Sequence, residues 1–270
     1  MLIGVSGAVL GILVLVAIFA PLLAPYDIRE QSLLERLAPP TALGGIEGHV
    51  LGTDQLGRDV LSRLIYAIRT TLAVAAIGTV IGLVIGTTLG LLSGLLGGWF
   101  DNFIMFLVDV QASLPFVLVA LTVIALFDTS LLVLILVVGI AGWEIYARVV
   151  RGQVLAVRDL PYIEASTALG ANLARIGWRH VLPNVSSPII VMATVNFSYV
   201  VLLESALSFL GLGVQPPNTS LGAMLGAGRD YILTNWTLPA IPGAVIVLIT
   251  MSISLIGDWL RDVLDPRQAD

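Results

Sequence analysis

Arg151 to Pro188, RGQVLAVRDLPYIEASTALGANLARIGWRHVLPNVSSP, is the long polar interruption in a chain that otherwise reads as membrane. With Arg148 it carries five arginines, too much charge to lie in hydrocarbon. Its middle, Glu164 to Leu169, is good helix, and Gly170 is a natural breaker. The segment therefore reads as a helix, a turn and a second helix held in solvent between two membrane spans. Its apolar stripe, Ile163, Leu169, Leu173 and Ile176, has nothing of its own to bury it, and is what a membrane protein offers a soluble partner.

Composition sets the class around this segment. Of 270 residues, 57% are hydrophobic and 11% charged, and the mean hydropathy is +1.00, which excludes an ordinary soluble domain. The expected fold is an all-α polytopic membrane protein. With no cysteine, disulfides, thiolate metal sites and cysteine nucleophiles are excluded. His49 and His180 stand far apart, without the paired spacing of a zinc site, so no metal ligands are assigned. A net charge of -5 argues against a nucleic-acid partner.

Six spans are expected: Leu2 to Ala24, Thr71 to Leu96, Phe103 to Phe127, Leu131 to Val150, Ile189 to Leu212 and Leu238 to Leu260. The first is read as a retained span (1–25) rather than a signal peptide, because no charged leader precedes it and Pro21 and Pro25 mark its exit. Its bare start suggests a short polar arm before it, or a different start site. Residues 26–69 form a polar platform with six acids and five arginines. Within it, Thr53 or Asp54 is expected to cap a helix carrying Val60, Leu61, Leu64, Ile65 and Ile68, with an amphipathic helix on the membrane surface as the plainer reading. Residues 70–260 form the core, in which Gly78, Gly82, Gly86, Gly90 and Gly94 recur at every fourth position of the second span and predict close helix packing. A second polar excursion runs from Val214 to Thr237, and residues 261–270 are a tail.

Six spans put both termini on one side. The arginine count, seven on the side of the termini and the central segment against six opposite, leans toward a cytoplasmic 151–188 segment and cytoplasmic termini. Four acids fall within spans: Asp109, Glu144, Glu204 and Asp258. Asp258, Glu144 and Asp109 read as close enough to span ends to be wetted. That leaves Glu204, with Ser208 one turn on, as the candidate lining of a translocation path or as a structural hydrogen-bonding group.

The inventory lacks a histidine and carboxylate cluster, a Gly-x-Ser-x-Gly and a Walker loop, so no catalytic residue is assigned. Energised transport would draw on a partner or an ion gradient.

The central segment nevertheless carries a specific pattern. Glu164-Ala165-Ser166, then Gly170, then His180-Val181-Leu182-Pro183 resembles the loop motif of ABC-importer permeases: EAA, three residues, G, nine residues, I-x-L-P. Ser166 and His180 depart from it, and His180 to Asn184 is similar to the H-x-L-P-N variant of peptide and nickel permeases. Further blocks resemble the second permease subunit of dipeptide and oligopeptide importers: Leu51 to Asp54 with Gly57 to Asp59, Leu203 to Ser205 through Leu207 to Gly211, Gln215 to Pro217 with Leu221-Gly222, and Gly257-Asp258 with Leu260 to Asp262 and Asp265-Pro266.

The resemblance implies a type I permease fold with a similar second permease subunit, two cytoplasmic ATPase subunits and an external solute-binding protein. ATP and magnesium would reside in the ATPases and no cofactor in this chain. It implies a coupling role for Glu164, Ala165, Ser166, Leu169, Gly170, His180, Leu182 and Pro183, and peptides as solute, with nickel chelates and glutathione as alternatives. A stand-alone secondary transporter, with Glu204 and Asp109 as coupling groups, is the competing reading.

Overall fold

The computed structural model describes residues 2–127 and 129–264. Asp128 and residues 265–270, which include Asp265-Pro266 and Arg267, lie outside the described residues.

Among the described residues, four helices are long and apolar enough to cross a bilayer alone: Val60–Leu96, Leu131–Arg158, Ser186–Phe209 and Thr237–Leu264. The other two expected spans are altered by proline. The first is α1 (Leu2–Ile18), about 26 Å long. It breaks at Phe19, and one further turn, α2 (Ala20–Leu23), follows. Pro21 is responsible, since its nitrogen carries no hydrogen for the Ala17 carbonyl. The third is not one straight helix: α4 (Gly98–Ser113) and α5 (Phe116–Phe127) meet at 92°. Pro115 holds Leu114 in an extended conformation, φ −98° and ψ 135°, which ends α4.

Helix α3 (Val60–Leu96) is the axis of the fold, 37 residues and about 55 Å long. Its cap is Asp59, whose carboxylate accepts from the Ser62 amide, rather than Thr53 or Asp54. The expected surface helix is instead the first part of α3. Val60, Leu64, Ile65 and Ile68 do share one face, but that face is buried in the core, which it shares with the helices Ser186–Phe209 and Leu221–Gly228, rather than laid on lipid.

Along its length α3 packs against α6 (Leu131–Ile140), α7 (Trp143–Arg158) and α11 (Ser186–Phe209). Helices α6 and α7 form one crossing with a break at Gly142, φ +84°. The glycine row makes the contact with α7 possible. A Cβ on Gly86 would lie 2.3 Å from the Trp143 carbonyl oxygen, and one on Gly90 2.5 Å from that of Ala147.

Between α7 and α11 lie α8 (Pro161–Ala168), α9 (Leu173–Ile176), a π-helical turn at Gly177–Val181 and α10 (Leu182–Asn184). The second polar excursion holds α12 (Leu221–Gly228), and α13 (Thr237–Leu264) closes the bundle against α1, α11 and α12.

The platform ends at Asp59, where α3 begins, not at residue 69. It is built on Asp54. One carboxylate oxygen accepts the Leu56 and Arg58 amides at 2.8 and 3.0 Å, and the other faces Arg58 Nε at 2.7 Å and Arg63 Nε at 3.4 Å. Arg63 then donates to Thr219 Oγ1 at 3.2 Å, which ties the platform to the second excursion.

Candidate functional site

The segment from Arg151 to Pro188 folds from local rules. Leu160 is extended because Pro161 follows it, and Pro161 sits in the first turn of α8, where its missing N–H costs nothing. At the other end the Gly170 amide bonds to the Thr167 carbonyl at 2.9 Å and the Ala171 amide to the Ser166 carbonyl at 3.1 Å. This is a Schellman cap with Gly170 in the left-handed region, φ +86°. Asn172 caps α9 by accepting from the Arg175 amide at 2.8 Å. The π-helical turn follows from Pro183, which offers no amide to Arg179, so the helix widens and the Leu182 amide reaches back to Gly177.

The expected apolar stripe splits in two. Ile163 and Ile176 are buried with Val181, Val185 and Ile189 against Leu91 of α3 and Val150 and Val154 of α7, anchoring the segment to the bundle. Leu169 and Leu173 point away, 89% and 50% exposed, and Trp178 is 72% exposed. Glu164, Ala165 and Pro183 are also exposed, whereas Ser166, His180 and Leu182 are half-buried. Ser166 Oγ and His180 Nε2 lie 3.4 Å apart, and Asn184 donates to Tyr162 Oη at 3.3 Å and to the His180 carbonyl at 2.5 Å. The motif residues from both halves of the segment thus come together, although 14 positions separate Ser166 from His180.

Glu204 and Ser208 belong to a different region. Glu204 is 0% exposed, accepting from Thr71 Oγ1 at 3.2 Å and Ser208 Oγ at 2.6 Å. Ser220 donates to Ser208 at 3.1 Å, and Thr71 accepts the Leu221 amide at 3.1 Å, so the cluster joins α3, α11 and the start of α12. Neither residue lines the two large grooves of the chain.

Glu144 lies in the first turn of α7, half-buried, with Gln111 Nε2 at 2.7 Å. Asp109 is exposed and pairs with Arg148 at 3.1 Å. One ion pair lay beyond sequence reasoning: Asp101, buried in the first turn of α4, takes both Nε and Nη2 of Arg151 at 2.5 and 2.6 Å and also bonds Ser93. The available signal was the pair of opposite charges flanking two adjacent spans.

The architecture is that of a membrane permease with an exposed helical loop. Residues 86–270 match the family described as binding-protein-dependent transport system inner membrane component, and residues 4–40 match the N-terminal TM domain of oligopeptide transport permease C. The di/tripeptide transport system permease protein DppC of Pseudomonas aeruginosa is 42% identical over 267 residues, 98% of this chain and 88% of that one. The dipeptide transport system permease protein DppC of Escherichia coli K12 is 42% identical over 268 residues, covering 97% and 89%. A structure solved as an inward facing conformation of the MetNI methionine ABC transporter shares the fold, with TM-score 0.61 over 76% of this chain and 97% of that chain at 22% identity.

The chain belongs to the binding-protein-dependent transport system inner membrane component family, and it is a multi-pass membrane protein.

Proposed function

We propose that this chain is a permease subunit of an ATP-driven importer of di- and oligopeptides, non-catalytic itself, paired with a second permease subunit and moved by two ATPases. The observation that carries the docking role is the outward face of the 151–188 segment. Leu169, Leu173 and Trp178 are exposed around the Gly170 turn, while Ile163 and Ile176 fix the segment to the spans. Exposed apolar side chains on a segment anchored to the bundle suit burial by a soluble partner, and the exposed Glu164 of the same segment supplies an acid for a basic group there. Motion of that partner would be passed through Ile163, Ile176 and Val181 to α7 and α3, a rigid path into the bundle.

This assignment sets the sidedness. The segment and both termini face the cytoplasm, and the platform before Asp59 and the excursion around α12, linked by Arg63 and Thr219, face the external binding protein. The peptide assignment is supported by the relatives from Pseudomonas aeruginosa and Escherichia coli, which are named as di/tripeptide and dipeptide permeases.

The test is to purify this chain with its co-expressed partners, reconstitute the complex, and measure ATP hydrolysis with binding protein carrying dipeptides, longer peptides, a nickel chelate or glutathione. Stimulation by peptide-loaded binding protein is expected. Glu164→Arg is expected to lose the ATPase from the complex while the membrane domain stays folded. Retention of the ATPase with normal transport would overturn the docking role.

A further inference from the structure

We infer that the cleft where α1 lies against α3 is a phospholipid site, in which an apolar groove takes acyl chain and Arg29 and Arg69 take the phosphate at its end. The inference stands apart from the importer reading, since it concerns lipid held at the flank of the bundle.

The groove, about 810 Å³, is walled by α1, α3, α11 and α13. Leu10, Val14 and Ile18 recur at helical spacing along α1, as do Leu72, Ala76 and Val80 along α3. Val14, Ile18 and Val80 are 40%, 61% and 58% exposed, so this surface is open along its length. Besides Thr79 and Thr194, its one polar lining residue is Arg69, which begins the α3 wall. From Arg69 to Val80 the helix rises about 16 Å, close to half of a hydrocarbon core of about 30 Å and therefore to the depth of one leaflet.

A polar cavity of about 490 Å³ adjoins the Arg69 end. Ile18 of the groove and Pro21 of the cavity are one turn apart where α1 gives way to α2, and Arg69 and Tyr66 are one turn apart on α3. The polar lining of the cavity is Tyr26, Asp27, Arg29, Tyr66 and Asn218. An apolar channel one leaflet deep thus opens, at the end where α1 leaves the membrane, into a chamber of donors.

The charges there are unusual for this chain. Ion pairs engage Arg58, Arg63, Arg148, Arg151, Arg158 and Arg229, whereas Arg29 and Arg69 are exposed and have no ion pair among the described residues. Asp27 is the one acid of the cavity lining, and one of its carboxylate oxygens already accepts the Arg29 amide at 2.8 Å. Two guanidinium groups against one carboxylate leave a single positive charge, which a phosphodiester matches. A transmembrane helix of another subunit would cover the apolar wall but gives no part to an unpaired arginine at its end; a phospholipid uses both.

The test uses the full complex, reconstituted into phosphatidylcholine vesicles doped with phosphatidylglycerol that carries a diazirine in its acyl chain. The matching diazirine diacylglycerol, which lacks the phosphate, is the comparison. After irradiation, peptides spanning residues 10–18 and 69–80 are expected to carry at least about tenfold more phosphatidylglycerol than diacylglycerol adduct. The double variant Arg29→Gln, Arg69→Gln should bring the two adducts to parity, and Ala76→Trp, which fills the groove, should remove both. Arg36→Gln, at an exposed arginine outside the site, should change neither. Equal labelling by the two probes in the unaltered complex would overturn the phosphate site. Absence of adducts from both segments would show that protein covers the groove and would overturn the lipid. A loss in Arg36→Gln as large as in the double variant would overturn the assignment to Arg29 and Arg69. None of these readouts uses transport, so their failure leaves the importer reading untouched.

Discussion

Gly90 of α3 and Ala147 of α7 meet backbone to backbone: a Cβ on Gly90 would stand 2.5 Å from the Ala147 carbonyl oxygen and 2.9 Å from its Cα. Neither atom belongs to a side chain that could turn aside, so Gly90→Val must push the two helices apart. We expect a loss of about 2 kcal/mol or more, read as a lower thermal unfolding temperature of the purified complex. Gly4→Val and Gly7→Val in α1, where a Cβ meets nothing within 4 Å, serve as controls and should leave it unchanged. Equal effects at Gly4 and Gly90 would mean that the α3 and α7 contact is not as close as described.

Asp101 and Arg151 connect α4 to α7 at the end of the bundle nearest the exposed loop, with Arg158 adding a hydrogen bond to the Gly94 carbonyl at 3.0 Å. The pair is two-pronged, a geometry that lysine cannot reproduce. Asp101→Ala and Arg151→Ala should each destabilise the complex. In a double-mutant cycle their effects should fall short of additive by about 2 kcal/mol. Arg151→Lys should recover less than half of the loss. Additive effects would show that the two side chains act independently.

The first contact illustrates what could be read from the chain before its structure, and the second what could not. The row from Gly78 to Gly94 announced a bare helix face because its period of four matches one side of a helix, and the structure uses that face against Val138, Gly139, Trp143, Ala147 and Val154. The turn of the loop was equally legible, since it depends on Gly170, whose backbone limits are local. Long-range partners were not. Asp54 was expected to cap a helix and instead binds Arg58 and Arg63, since Asp59, five residues on, takes the cap. The stripe of Ile163, Leu169, Leu173 and Ile176 looked continuous, but the turn at Gly170 reverses the chain and sends its two isoleucines inward.

Thr71 is a joint between three elements, donating to Glu204 of α11 while accepting the Leu221 amide that opens α12. Thr71→Val keeps the shape and removes both bonds, leaving a buried N–H and a buried carboxyl oxygen short of partners. A loss of about 1 to 3 kcal/mol is expected, with Thr71→Ser restoring most of it. Thermal unfolding of the two variants side by side checks this. No difference between valine and serine would show that the hydroxyl contributes nothing to holding α12.

Gly170 separates the conformational demand of the loop from its contacts. A Cβ there would meet nothing within 4 Å, so any cost of Gly170→Ala comes from φ +86° alone. That cost is about 1 kcal/mol for an ordinary L residue, and Gly170→Asn should be milder because asparagine tolerates the left-handed region. The global unfolding temperature should barely move, because Ile163 and Ile176 still anchor the segment on either side of the turn. The strain falls on the exposed turn that carries Leu169, so protease cleavage between Thr167 and Asn172 should quicken and ATPase co-purification should weaken in the order glycine, asparagine, alanine. Leu169→Glu, which leaves the backbone untouched, should weaken the association without quickening cleavage. If Leu169→Glu and Gly170→Ala both co-purify with the ATPase as well as the parent chain, the turn is not the docking surface.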